Sequence, residues 1–336
     1  EKYIMRHTRA LINLSAIKNN LSTIQKSINN PNKTSVMAVV KANAYGHGLV
    51  EVAKAASEWG ASHLAVAIPE EGRILREEKI TCPILVLGLI APEEASVCVE
   101  KELIVTVCAD EHLEPLIAAA KKLGKKAQVM LKVDTGMNRI GADYEGAVRL
   151  AKTISELEEI ELHGMFTHFA SAGGPDFTYA REQEEKFHKL VKKMEELELR
   201  PKIVSASASS ASLTMPGSQF ELVRAGISMY GLYPSNYVQE KQKLEQALSL
   251  VTKISYIKKL PANTSVGYEM TYRTKEDCFI ATLPLGYGDG YNRRLSNKAR
   301  VLINGNFYPV CGNICMDQMM VCLGPETNIK VGDEAV

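Results

Sequence analysis

No hydrophobic run in this chain is long enough to cross a bilayer. The longest, around Pro83 to Ile90, falls well short of the ~20 residues a spanning helix needs, and no secretory leader is visible. Membrane contact by this segment is therefore not expected. An excess of one charge is missing as well. The 40 Lys and Arg are offset by 39 Asp and Glu, leaving a net +1, which gives nucleic acid or an acidic membrane nothing to steer toward. The seven cysteines are odd in number and scattered, so a reducing compartment without a disulfide framework is expected. Cys311 and Cys315 lack the two-residue spacing of a redox or zinc pair; they read as structural, and no metal site is expected. The chain also lacks a starting methionine and stops on Val336 inside what reads as a strand. It is expected to be a piece of something longer.

What is present is ordinary soluble-protein composition, 46% hydrophobic and 24% charged over 336 residues, enough for two domains. Residues 9–14 read as an extended entry, after which Ser15 is expected to cap a helix with Ile17, Leu21 and Ile24 on one face. Short apolar runs then alternate with amphipathic helices. Strands are predicted near 36–40, 62–68, 83–88, 103–108, 127–133, 160–166, 202–206 and 222–229. Helices are predicted at 49–58, 70–78, 92–101, 110–123, 143–156, 178–197 and 210–215. Such a series argues for an α/β fold, a closed (β/α)8 TIM barrel. An open doubly wound sheet is less favoured, because no G-x-G-x-x-G loop follows any strand. From about Lys243 helical periodicity fades, and short β-type runs appear at 249–257, 279–283, 301–303 and 319–322. The expected division is a barrel over residues 1–240 and a mostly β domain over 241–336.

The most informative stretch is Val36-Met37-Ala38-Val39-Val40-Lys41-Ala42-Asn43-Ala44-Tyr45-Gly46-His47-Gly48. A buried strand ends abruptly on a lysine, and partial desolvation there lowers an ammonium's pKa, as a Schiff-base lysine requires. A strand-end lysine snorkelling to solvent is the blander reading. Other chemistry collects at the same C-terminal ends of strands, where barrels place their sites. Lys132 and Asp134 end the fifth strand, followed by Arg139; Thr167-His168 ends the sixth; Ser207, Ser209 and Ser210 follow the seventh; Arg224-Ala225-Gly226-Ile227 lies on the eighth. Singly these read as a core histidine, a surface ion pair and helix caps; together at one end of one barrel they read as a site. Ser210, Gly226 and Ile227, with the Tyr45 phenol, could cradle a phosphate, and Arg139 could grip a carboxylate with both arms. An unpaired Lys132 inside the barrel would be costly, so it is expected to be carbamylated or held by an anion or acidic neighbour. In the β domain, Ser265–Tyr272, Pro284–Gly290 and Cys315-Met316-Asp317-Gln318 are tyrosine- and glycine-rich turns, commonly hairpins with aromatic plugs.

The thirteen-residue lysine string resembles the pyridoxal-phosphate motif of the alanine racemase family over its full length, and the resemblance extends in order along the chain. It implies a barrel plus β domain, pyridoxal 5'-phosphate as cofactor, and a head-to-tail homodimer with two sites, each completed by the partner's β domain. By motif, Lys41 is the Schiff-base lysine and the base on the D side, and Tyr268 is the opposite base. Arg224 faces the pyridine nitrogen and, being a permanent donor, keeps it unprotonated; His168 links Arg224 to Tyr268. Tyr45, Ser210, Gly226 and Ile227 hold the phosphate. Arg139 and the Met316 backbone bind the substrate carboxylate, Tyr287 narrows the entrance, Asp317 lies beside the site, and Lys132 matches a lysine carbamylated in some members. Departures are Ser209 where Asn is common, Ala206 where His is frequent, and Glu269 where Gly is usual; a further C-terminal tyrosine segment is absent.

The expected activity is racemisation of L- and D-alanine by two bases, in the cytoplasm, supplying D-alanine for peptidoglycan of the cell wall. The nearest alternative is a serine racemase module, the cytoplasmic part of a membrane-anchored resistance protein. A pyridoxal-phosphate decarboxylase of basic amino acids shares a similar barrel but lacks the Tyr268 motif, and a non-catalytic barrel would lack the β domain.

Overall fold

The computed structural model describes residues 6–336, which divide into two units. One comprises residues 13–247; the other joins residues 6–12, with strand β1 (Arg9–Ile12), to residues 248–336. In the first unit eight short apolar runs become parallel strands: β2 (Ser35–Val39), β3 (His63–Val66), β4 (Ile84–Val86), β5 (Ile104–Val107), β6 (Ala127–Lys132), β7 (Ile160–Phe166), β8 (Ile203–Ser205) and β9 (Leu222–Ala225). Their order, β8-β7-β6-β5-β4-β3-β2-β9, is a barrel with one seam. The Arg224 N–H bridges that seam to the Ser207 carbonyl at 3.0 Å, and the Ser205 hydroxyl donates to the Leu222 carbonyl at 2.6 Å.

These strands are near-continuous in apolar residues because both faces are covered. Met37, Leu85, Ile104, Met130, Phe166 and Leu222 pack together as the filled interior of the barrel. Outside lie α1 (Leu14–Lys26), α2 (Leu49–Glu58), α3 (Pro69–Glu77), α4 (Ala95–Glu100), α5 (Leu113–Leu123), α6 (Tyr144–Ser155), α7 (Thr178–Glu196), α8 (Ser209–Thr214) and α9 (Asn236–Lys241). Ile17, Leu21 and Ile24 are buried as their spacing predicts. The cap of α1 is Asn13 rather than Ser15: its side-chain oxygen accepts the Ala16 N–H at 3.1 Å, satisfying an otherwise unpaired donor of the first turn. No helix among the described residues is long and apolar enough to cross a membrane.

In the second unit, β1 pairs antiparallel with β10 (Leu248–Lys253). The expected division at 240/241 therefore differs from the observed units, because a strand's partner need not be its neighbour in sequence. The apolar run at 249–257 is also two strands, β10 and β11 (Tyr256–Leu260), which enter different sheets. The remaining strands are β12 (Ser265–Val266), β13 (Tyr272–Arg273), β14 (Cys278–Leu283), β15 (Arg300–Ile303), β16 (Asn306–Pro309), β17 (Met319–Gly324) and β18 (Glu334–Ala335). They form the antiparallel sheets β1-β10-β18-β15-β16, β11-β14-β17 and β12-β13, packed around Ile254, Leu283, Ile303, Ile314 and Val321.

Candidate active site

Lys41 follows β2 by two residues and begins an unusual segment. Ala42, Asn43, Ala44 and Tyr45 all have φ between 53° and 55°, and Gly46 follows at 86°. This is a turn of left-handed helix built from side-chain-bearing residues, a geometry costing roughly 1–2 kcal/mol per residue. The Asn43 side-chain oxygen accepts the Leu49 N–H at 2.8 Å and starts α2. Tyr45 packs on Tyr230, with ring centroids 4.8 Å apart, and burial raises its phenol pKa.

Lys41 and Tyr45 open onto a cavity of about 860 Å³ that is also lined by Lys132, Arg139, His168, Ser210, Arg224, Gly226 and Ile227. All nine barrel residues assigned site roles in the sequence thus meet in one place. Arg224, 3% exposed, is held through its outer nitrogens. Nη1 donates to the Ser205 hydroxyl at 2.7 Å and the Ser205 carbonyl at 3.1 Å. Nη2 donates to the carbonyls of Thr167 at 2.8 Å and Ala206 at 3.1 Å, and lies 3.3 Å from His168 Nδ1. Its Nε has no protein acceptor among the described residues, leaving one donor for a ligand. Burial pushes the Arg224 pKa down to about 10. Burial, followed by the charges of Arg224, Arg139, Lys132 and Lys41, pushes His168 down to about 3, so its imidazole is neutral at physiological pH and accepts from the arginine.

Lys132 is 2% exposed. Its Nζ donates to the Val133 carbonyl at 2.8 Å and lies 5.6 Å from the centre of the Phe166 ring, which Arg224 also faces at 5.4 Å. Burial, then Arg224, lowers its pKa to about 8. Asp134, whose charge partly offsets that lowering, uses Oδ1 to accept the N–H groups of Gly136 at 2.8 Å and Asn138 at 3.1 Å.

One wall of the cavity is made of hydroxyls. A Cβ added to Gly226 would meet the Ser209 and Tyr45 hydroxyl oxygens at 3.2 and 3.3 Å, and one on Gly173 would meet those of Ser210 and Ser235 at 3.2 and 3.4 Å. Ser209, singled out only as one of three serines, accepts the Gly226 N–H at 3.0 Å and the Ser228 N–H at 3.4 Å. It shapes this wall and takes the Gly226 N–H. Ser207 bonds Ser218 at 2.6 Å and is structural. Gln183 on α7 was missed in the sequence. Fully buried, it accepts the Ala170 N–H at 2.9 Å and donates to Thr135 at 3.2 Å and the His168 carbonyl at 3.3 Å, tying two strand ends together.

The β unit gathers its own candidates. Tyr268, Tyr287 and Met316 are 68%, 42% and 61% exposed, and Asp317 is exposed beside them; the tyrosines are not aromatic plugs. Their turns are stitched through the backbone. Tyr287 N–H donates to the Cys315 carbonyl at 3.0 Å and Gly288 N–H to that of Met316 at 2.7 Å, while the Asn313 amide donates to the Tyr268 carbonyl at 3.1 Å. Gly286 is required here, since a Cβ would lie 2.3 Å from the Cys315 carbonyl oxygen.

Comparison with known proteins bears on the family and the fold. The family model for the alanine racemase N-terminal domain matches residues 12–234, and that for the alanine racemase C-terminal domain matches residues 247–336. An alanine racemase from Methanococcus maripaludis is 46% identical over 326 residues, covering 96% of this chain and 87% of that protein. Alanine racemase 2 from Caldanaerobacter subterraneus subsp. tengcongensis is 42% identical over 333 residues, covering 99% and 85%. Among solved structures, alanine racemase from Clostridium difficile 630 superposes with a TM-score of 0.94 at 38% identity, covering 99% of this chain and 87% of that one. A histidine racemase from Leuconostoc mesenteroides subsp. sake superposes at 0.88 with 29% identity, covering 99% and 88%. With both domain models matched in order along one continuous chain, this protein belongs to the alanine racemase family.

Proposed function

We propose that this protein is a cytoplasmic, pyridoxal-phosphate-dependent racemase that interconverts L- and D-alanine as a homodimer. The observation that carries the reading is the convergence of Lys41, Lys132, Arg139 and Arg224 around one neutral histidine, beside a wall of hydroxyls. Such a cavity suits a ligand pair with a phosphate at one end and a carboxylate at the other. The unpartnered Arg224 Nε suits the ring nitrogen of the cofactor, and the space kept open at Gly226 suits its phosphate.

When bound, pyridoxal phosphate supplies an electron sink for the charge left on the α-carbon as its proton departs. Lys41 would carry the cofactor and hold or return the proton on one face. Tyr268 of a second copy would do the same on the other, its exposed phenol leaving the patch formed by its own turns. Tyr45, Ser210 and the Ile227 backbone would bind the phosphate. Arg224 can only donate, so it would keep the ring nitrogen unprotonated, weakening the sink and favouring return of the proton over side reactions. His168, held neutral, accepts from Arg224 without adding a charge. Arg139 and the Met316 backbone would bind the substrate carboxylate, with Tyr287 and Asp317 at the entrance. Lys132, unpaired and buried, is suited to carbamylation, which would turn it into an anion beside Arg224.

The test is incubation in deuterated water with L-Ala, D-Ala, L-Ser and L-His. Alanine should gain α-deuterium and invert fastest in both directions. Faster inversion of serine or histidine, or decarboxylation of a basic amino acid, would overturn the assignment.

A further inference from the structure

We propose that Glu71 is a positioning residue: its carboxylate clamps the left-handed turn that aims Lys41 and Tyr45 into the cavity. The inference rests on the reading of Lys41 as the cofactor-bearing lysine. Four consecutive non-glycine residues at positive φ persist only where their surroundings over-determine them. Most bonds around the turn come from its own neighbourhood. Gly46 N–H donates to the carbonyls of Ala42 at 3.1 Å and Asn43 at 3.0 Å, and His47 Nδ1 lies 3.0 Å from the Ala44 carbonyl. Bonds of this kind hold the turn together but do not anchor it to the barrel.

Glu71 does. It lies in the first turn of α3, with Oε1 accepting the Asn43 N–H at 3.1 Å and Oε2 the Ala67 N–H at 2.8 Å. One carboxylate therefore ties the turn after β2 to the end of β3. Among the described residues no other side chain from another helix or strand hydrogen-bonds the backbone of residues 41–46. Both bonds are charge-assisted and use the two oxygens separately, which fixes the side chain as well as the turn. Glutamine cannot reproduce this, because its amide has one accepting oxygen and would set an N–H group against the other backbone donor. Glu71 itself is absent from the lining of the cavity, so it acts through the backbone and not on a ligand.

The experiment compares the purified wild type with Glu71→Gln, Ala42→Gly, the Ala42→Gly/Glu71→Gln double variant, Arg73→Ala and Lys41→Ala. Two quantities are read: the near-visible band of lysine-bound cofactor against free pyridoxal phosphate after dialysis, and amide hydrogen exchange of residues 42–48. Glu71→Gln should weaken cofactor retention about tenfold, the scale of one lost charge-assisted bond, and speed exchange in that segment alone. Glycine adopts positive φ without steric cost, so the double variant should retain cofactor better than Glu71→Gln. Arg73→Ala, which breaks only exposed ion pairs with Glu70 and Glu77 on the same helix, should match the wild type. Wild-type retention and exchange in Glu71→Gln would overturn the clamp. So would an equal loss from Glu71→Gln with and without Ala42→Gly, which would indicate general destabilisation. A band that survives Lys41→Ala would instead overturn the reading of Lys41.

Discussion

The barrel cavity and the turn patch of the β unit both carry candidate site residues, yet they are built in opposite ways. Arg224 is 3% exposed and held by two carbonyl-bearing strand ends and a hydroxyl. Tyr268 is 68% exposed, and its neighbours bond its backbone, not its phenol. Met270 and Met316 are 63% and 61% exposed in the same unit. Folding one chain completes the first arrangement. The second leaves large apolar and aromatic surface in water, which marks an interaction surface rather than a core. Under the function proposed above, the barrel would organise the ligands and the turns of the β unit would meet a second copy.

Substitutions on each side should separate the two roles. The largest effect is expected from Lys41→Ala, which should abolish the near-visible cofactor band together with at least about 10⁴-fold of activity, the upper range for a positioned base; absorbance and inversion of D-alanine check it. Tyr268→Phe should leave the band intact and cost about 10²–10⁴-fold. Washout of α-deuterium should slow mainly from the L-enantiomer, and equal slowing from both would remove the distinction between the two faces. Arg139→Met should raise KM about 10- to 100-fold with a smaller change in kcat, as expected for loss of a charged hydrogen-bonding partner. Substrate titration by initial rates measures it.

The smallest effect concerns stability. Lys132 has a folded pKa of about 8 against ~10.4 unfolded, so between these values the unfolded chain binds the extra proton. Stability should therefore rise with pH from about 8 to 10 in bicarbonate-free buffer. Lys132→Met should flatten that slope in thermal melts, and carbamylation by added bicarbonate should suppress it as well.

How much could be read beforehand follows the same divide. The barrel was legible because each strand is a short apolar run buried on both faces, and because its polar residues stand at strand ends. The left-handed turn was not, since Ala42, Asn43, Ala44 and Tyr45 carry no glycine-like signal and the strain comes from context. Glu71 looks like any acid in a first helical turn, and Gln183 like any polar residue of a polar helix. Their importance lies in partners 28 and 13 residues away, Asn43 and Ala170. The place of β1 was hidden for the same reason: its register with β10 sets Arg9 opposite Val251. The lysine motif and the tyrosine-rich turns were visible as sequence, but exposure, which separates a plug from an interface, was not.

The most direct measurement mixes Lys41→Ala with Tyr268→Phe, each inactive alone, after verified subunit exchange. If each site joins one barrel to the partner's patch, half of the randomly mixed dimers are hybrids with one intact site of two, and about a quarter of wild-type activity should return. No recovery from demonstrated hybrids would contradict a site shared between subunits.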